Sequence, residues 1–125
     1  MKIEYLADGS PDCPLIRLYE FNQAEAKQLR QLVRSLVPSD RQGVELENEA
    51  WAEPLGGCRL ALRCGNPDQG IRQVGSRNFE CVLNSDGWRN VEGLLGPFCD
   101  SNTAGFQWLI HDGGVSLLIS QNGHW

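Results

Sequence analysis

Long apolar runs are missing from this chain. No stretch approaches the roughly 18 consecutive apolar residues that a membrane-spanning helix requires, so no membrane span is expected. The opening residues, Met1-Lys2-Ile3-Glu4-Tyr5, bring an acid within the first five positions and no apolar block, unlike an export signal. A cytoplasmic location is the expectation. Histidine is scarce, with only His111 and His124, too few to argue a metal site. No Cys-x-x-Cys pair occurs among Cys13, Cys58, Cys64, Cys81 and Cys99, which excludes the usual zinc and redox spacings. Basic runs are also lacking. The eleven Lys and Arg are scattered in a chain of net charge −5, with Arg59 and Arg63 the nearest thing to a cluster. Nucleic-acid binding draws its affinity from neutralised phosphates, so no nucleic-acid partner is expected.

What is present is ordinary globular composition, 41% apolar and 22% charged over 125 residues, which is the size of one domain. The five cysteines are an odd number. They are expected to be reduced thiols, mostly small buried side chains. Cys58 and Cys64 share one face of a strand but stand roughly 20 Å apart along it, too far to bond. Cys13 and Cys99 read as loop thiols with no basic neighbour in sequence to activate them.

The pattern predicts an α+β domain. Lys2–Leu6 and Leu15–Phe21 read as strands. Asn22 and Glu25 have capping-box spacing before a helix over 23–37, with Ala26, Leu29, Leu32, Val33, Leu36 and Val37 at helical intervals and Pro38 as the stop. Val44–Trp51 alternates partly. Cys58–Cys64 alternates cleanly, with Cys58, Leu60, Leu62 and Cys64 on one face. A strand within 72–84 leads to a second helix marked by Trp88, Val91, Leu94, Leu95 and Phe98. That helix is weakened by Gly87, Gly93 and Gly96 at roughly 1 kcal/mol each. Gly93 and Gly96 read as places of close packing. Strands at Phe106–Ile110 and Val115–Ser120 flank an Asp112-Gly113-Gly114 hairpin turn.

The second half matches the first. At an offset of 62, Phe21 meets Leu83, Asn22 meets Asn84, Ala26 meets Trp88 and Leu29 meets Val91, with no gap across strand, cap and helix. At an offset of 57, Trp51 meets Trp108, and Leu60 and Leu62 meet Leu117 and Ile119. Tandem βαββ-type units over 15–64 and 77–121 are therefore expected, forming one mainly antiparallel sheet with both helices on one face.

Candidate chemistry is thin. His111-Asp112 could orient a base, but adjacent strand residues point to opposite sides and the pair sits at a turn. Asp8-x-Ser10-x-Asp12 begins like a calcium loop, yet Cys13 stands where glycine is wanted and Tyr19 where a glutamate is. No catalytic residue, metal ligand or cofactor is assigned. No motif identifies a family. In topology alone, tandem βαβββ units of this length resemble the vicinal-oxygen-chelate (glyoxalase-like) superfamily. That resemblance implies His and Glu ligands on inward strand positions of both halves, and here both histidines fall in the second.

If two helices cover one face of the sheet, the other face presents Arg59, Ala61 and Arg63 and, in the second half, Ser116, Leu118 and Ser120. Trp51 and Trp108 are expected to point the same way. A surface made of Trp51, Trp108, Arg59, Arg63 and Leu118 has the composition of a protein-binding or dimer patch. The expected function is a non-catalytic protein-binding or self-associating module. The alternative is a small-molecule binder or enzyme with a pocket between the two units, marked by a cleft that collects Glu20, Arg63 or His111.

Overall fold

The computed structural model describes residues 1–37, 43–101, 104–111 and 114–125. Among the described residues, nine strands and two helices are arranged as β1 (Lys2–Leu6), β2 (Leu15–Tyr19), α1 (Gln23–Ser35), β3 (Val44–Glu45), β4 (Glu53–Pro54), β5 (Arg59–Cys64), β6 (Gly70–Gln73), β7 (Asn78–Leu83), α2 (Ser85–Asp100), β8 (Phe106–Ile110) and β9 (Ser116–Ser120). The class is α+β with two helices, as expected. The strands, however, form two mixed sheets rather than one: sheet A in the order β4-β1-β2-β9-β8 and sheet B in the order β3-β5-β7-β6. In sheet A the antiparallel pairs β1/β2 and β8/β9 are joined by a parallel β2/β9 seam. In sheet B the antiparallel pairs β6/β7 and β3/β5 are joined by a parallel β5/β7 seam. Each sheet thus combines the first hairpin of one half with the last hairpin of the other. Alternation determines which face of a strand is buried, not which strand lies beside it, and this exchange was beyond its reach.

One core cluster runs through both sheets and both helices. Ala26, Leu29 and Val33 line the buried face of α1, and Trp88, Val91, Leu95 and Phe98 that of α2. The capping box is present: Asn22 Oδ1 accepts from the Glu25 amide at 2.9 Å, and Glu25 Oε1 accepts from the Asn22 amide at 3.0 Å. Glu25 Oε2 also takes a hydrogen bond from the Met1 amino group at 2.7 Å. Burial pushes the Glu25 carboxyl up, but these hydrogen bonds outweigh it and hold the group below the usual range. Asn84 caps α2 in the same way, accepting from the Gly87 amide at 2.9 Å. The helices are tied together by Glu92 of α2, which accepts from Arg30 and Arg34 of α1. Gly93 faces open space, contrary to the close packing expected there, whereas Gly96 is buried against the Arg30 guanidinium. Pro38, and Asp112-Gly113 of the expected hairpin turn, lie outside the described residues.

Two features of the expected match between halves are corrected. First, a gap is needed at the end of β2. Core residues in β7 fall at Phe79, Cys81 and Leu83, two apart, but in the first half at Ile16, Leu18 and then Phe21. Glu20 is the extra residue. It takes a positive φ of 50°, which side chains other than glycine rarely adopt, and so restores Phe21 to the core side. Second, Trp51 and Trp108 are not counterparts. The strand expected over 44–51 ends at Glu45. Leu46–Asn48 form a 3-10 turn, in which Glu47 accepts from the Leu60 amide at 2.9 Å, and this turn breaks the alternation before Trp51. Trp108 lies within β8 opposite Leu118, the place that Glu45 takes opposite Ala61.

No disulfide joins any of the five cysteines. Cys58, Cys81 and Cys99 are buried, while Cys13 and Cys64 are half-buried. Cys99 is in α2, not in a loop as expected. Burial, reinforced by Glu47, pushes the Cys58 thiol up to about 11. A disulfide reagent at pH 8 is therefore expected to titrate five thiols in denaturant. In the native protein only Cys13 and Cys64 should react quickly. Fast native modification of Cys58 would contradict its burial.

Candidate functional site

The five residues expected to form one patch fall in three places. Arg59 and Arg63 do lie on the outer face of sheet B. Trp108 and Leu118 lie on the outer face of sheet A. Trp51 is on neither: it is half-buried in the segment before β4, packed against the core, with its carbonyl accepting from the Met1 amino group at 2.8 Å. Leu118 is not exposed at all, and Ser116 and Ser120 beside it are buried too. The expectation of an open face there is corrected by the C-terminal residues. After β9 the chain turns back across sheet A, and hydrogen bonds tie it to the strand, to Arg17 and to Asp12. Ser120 Oγ donates to the His124 carbonyl at 2.6 Å, Arg17 Nη1 to the Gly123 carbonyl at 2.8 Å, and Trp125 Nε1 to Asp12 Oδ2 at 3.0 Å. Gly123 makes the turn with φ +84°, and a Cβ there would stand 2.9 Å from the Tyr19 ring.

The outer face of sheet B is a groove of about 540 Å³ bordered by Glu45, Glu47, Arg59, Ala61, Arg63 and Glu80. Most of its charges are already engaged: Arg63 and Arg72 with Glu80, Glu45 with Asn48, and Glu47 with the Leu60 amide. It is a polar, solvated face.

The outer face of sheet A differs. A groove of about 550 Å³ is bordered by Asp12, Arg17, Phe106, Trp108, His124 and Trp125. Arg17 is neutralised by Glu4, with Nε to Oε1 at 2.7 Å, and its guanidinium lies 4.1 Å from the Tyr19 ring centroid. Trp108 stacks on His111 with ring centroids 4.4 Å apart. Three large apolar side chains are exposed among the described residues: Val74, Phe106 at 48% and Trp125 at 36%. Two of the three border this one groove. The signal that could have located it was in the composition: from Ser101 to Trp125 the only formally charged side chain is Asp112, in a chain with 27 Lys, Arg, Asp and Glu. Chemically the surface offers aromatic faces, a few neutral hydrogen-bonding groups and almost no net charge.

Glu20, Arg63 and His111 are not collected in a cleft. Glu20 pairs with Lys2 at the end of β2, Arg63 is in sheet B and His111 follows β8. Where both sheets and both helices meet, the interior is lined by Leu, Val and Trp, and its free volume is about 10 Å³, at the lower limit for one water. Among the described residues, no three His, Cys, Asp or Glu gather into a set that could hold a metal ion. No helix of the described residues is long and apolar enough to cross a membrane. No family model matches the chain, and no curated protein or solved structure matches it either.

Proposed function

We propose that this chain is a non-catalytic protein-binding module, and that the aromatic, charge-poor surface of sheet A is its contact surface. One observation carries the reading: Phe106 and Trp125 are both exposed on the border of one groove that Trp108 also lines, within a stretch of sequence almost free of charge. Protein contact surfaces are depleted of charge and enriched in aromatic residues at their centres, and aromatic anchors dominate their energetics. The interior space of about 10 Å³ cannot hold a ligand, and the groove of about 400 Å³ between α1 and α2 is open, with Arg34 and Glu92 at its rim already paired with each other, so the alternative of a ligand pocket between the halves is the weaker reading. A reducing, cytoplasmic setting is part of the same proposal, supported by five cysteines with no disulfide. It also treats 15–64 and 77–121 as duplicated units, supported by the reciprocal exchange of hairpins between the sheets.

The test is site-specific photo-crosslinking in the native cell. Benzoylphenylalanine placed at Phe106 is expected to give discrete protein adducts, and the same probe at Arg59 to give about tenfold fewer. Adducts at Arg59 without adducts at Phe106 would transfer the contact to sheet B and end this reading.

A further inference from the structure

A sheet edge is a row of unpaired main-chain groups, and proteins blunt such edges by shortening them, charging them, adding proline or covering them. Sheets A and B have four edges, and three are blunted. β4 is two residues, Glu53 and Pro54. β3 is two residues and carries Glu45. β6 carries Arg72 and is bridged at Ile71 to Val115, the residue before β9. β8 is the exception, with five residues, Phe106-Gln107-Trp108-Leu109-Ile110, none charged and none proline.

The hydrogen bonding shows which of its groups are available. The Gln121 amide donates to the Gly105 carbonyl at 3.3 Å. Residues 105 and 107 therefore turn their main-chain groups toward β9, and Phe106 and Trp108 turn theirs outward. The outward Trp108 carbonyl is occupied only by a side chain, Gln107 Nε2 at 3.0 Å. A register shift between Trp108 and Ile110 bends the far end of the strand. This leaves 106–108 as the part that can be paired.

We infer that β8 is a dimerisation edge, which pairs antiparallel with β8 of a second copy. The inference rests on the reading of this surface as a protein contact and names the partner. With Gln107 on the two-fold axis, the outward groups of Phe106 meet those of Trp108 in the second copy and the reverse, giving about four main-chain hydrogen bonds. The same register sets Phe106 beside Trp108 of the other chain on one face, twice over, as aromatic cross-strand pairs. Among the four edges, charge opposes self-contact least at this one. Two copies of net charge −5 repel, and approach is least opposed along the strand without charges. The two-fold is also self-complementary, as a closed dimer requires.

Sedimentation velocity on the full chain, over about 1–200 µM, is expected to show conversion from one to two chains as concentration rises. Amide exchange at Phe106 and Trp108 should slow about tenfold over the same range. Phe106→Lys, at a position already half exposed, should weaken the association about tenfold or more. A single-chain mass at every concentration would overturn the inference. So would a dimer whose 106 and 108 amides stay unprotected, a measurement on the native chain that stands even if the lysine variant fails to fold. A chain that stays monomeric yet crosslinks through Phe106 to a different protein removes the dimer and leaves the protein-binding reading in place.

Discussion

Trp88→Ala is expected to remove about 4 kcal/mol or more of stability, a large share of what a domain of this size possesses. Trp88 is fully buried. It sits where α2 meets α1 and both sheets, among Val33, Leu62, Leu109 and Leu117, so the cavity left behind would be lined from four elements that cannot all close in together. Its indole Nε1 also donates to the Arg63 carbonyl at 2.8 Å, and truncation leaves that acceptor without its partner. Trp88→Phe keeps most of the volume and loses the donor, so about 2 kcal/mol is expected. Urea unfolding followed by far-ultraviolet circular dichroism measures both. A change below about 1 kcal/mol for Trp88→Ala would mean that the two helices do not share this centre.

Leu118→Asp is expected to leave the chain unfolded at room temperature, with a loss of more than about 4 kcal/mol. The neighbouring Arg17 is already engaged by Glu4 and the Gly123 carbonyl, so the new carboxylate would be buried without a free partner, which costs several kcal/mol beyond the 2 kcal/mol or so of apolar burial that is lost. Leu118 has no exposed area. In β9 it lies between Arg17 of β2 and Trp108 of β8, and the C-terminal turn covers it. Arg59→Ala, on the outer face of sheet B, is expected to change stability by less than about 0.5 kcal/mol. The pair of variants separates a covered face from an open one, and thermal melts read the result. Near-native stability for Leu118→Asp would return that residue to solvent and dismiss the covering role of residues 121–125.

Both effects depend on what lies over a strand, which alternation along the strand does not encode. Leu118 alternates with Leu117 and Ile119, and alternation alone assigns it to the outer side of β9, which is correct. The outer side is buried because five residues beyond the strand turn back and are held by Arg17 and Asp12, more than 100 positions away in sequence. Trp51 failed differently. Its place in an alternating stretch was interrupted by a 3-10 turn that Glu47 stabilises through the Leu60 amide, a contact 13 positions distant. The aromatic groove was more accessible. Its charge-poor stretch, 101–125, can be seen in the sequence, although composition does not reveal that Phe106, Trp108 and Trp125 surround one hollow.

Local order in this protein follows from short-range patterns in the chain. The Asn22–Glu25 capping box, the Asn84 cap, the apolar stripes of both helices, the inward faces of β5 and β9 and the absence of disulfides all depend on neighbours a few residues away or on composition, and those forces act without knowledge of the rest of the chain. Tertiary structure alone decided the partition into two sheets, the parallel seams β2/β9 and β5/β7, the irregular Glu20, and which outer face is covered and which is open. Each of these is a choice between partners far apart in the chain. Strands with the same alternation satisfy the same local rules, and only simultaneous burial of both helices and both sheets in one core selects among them.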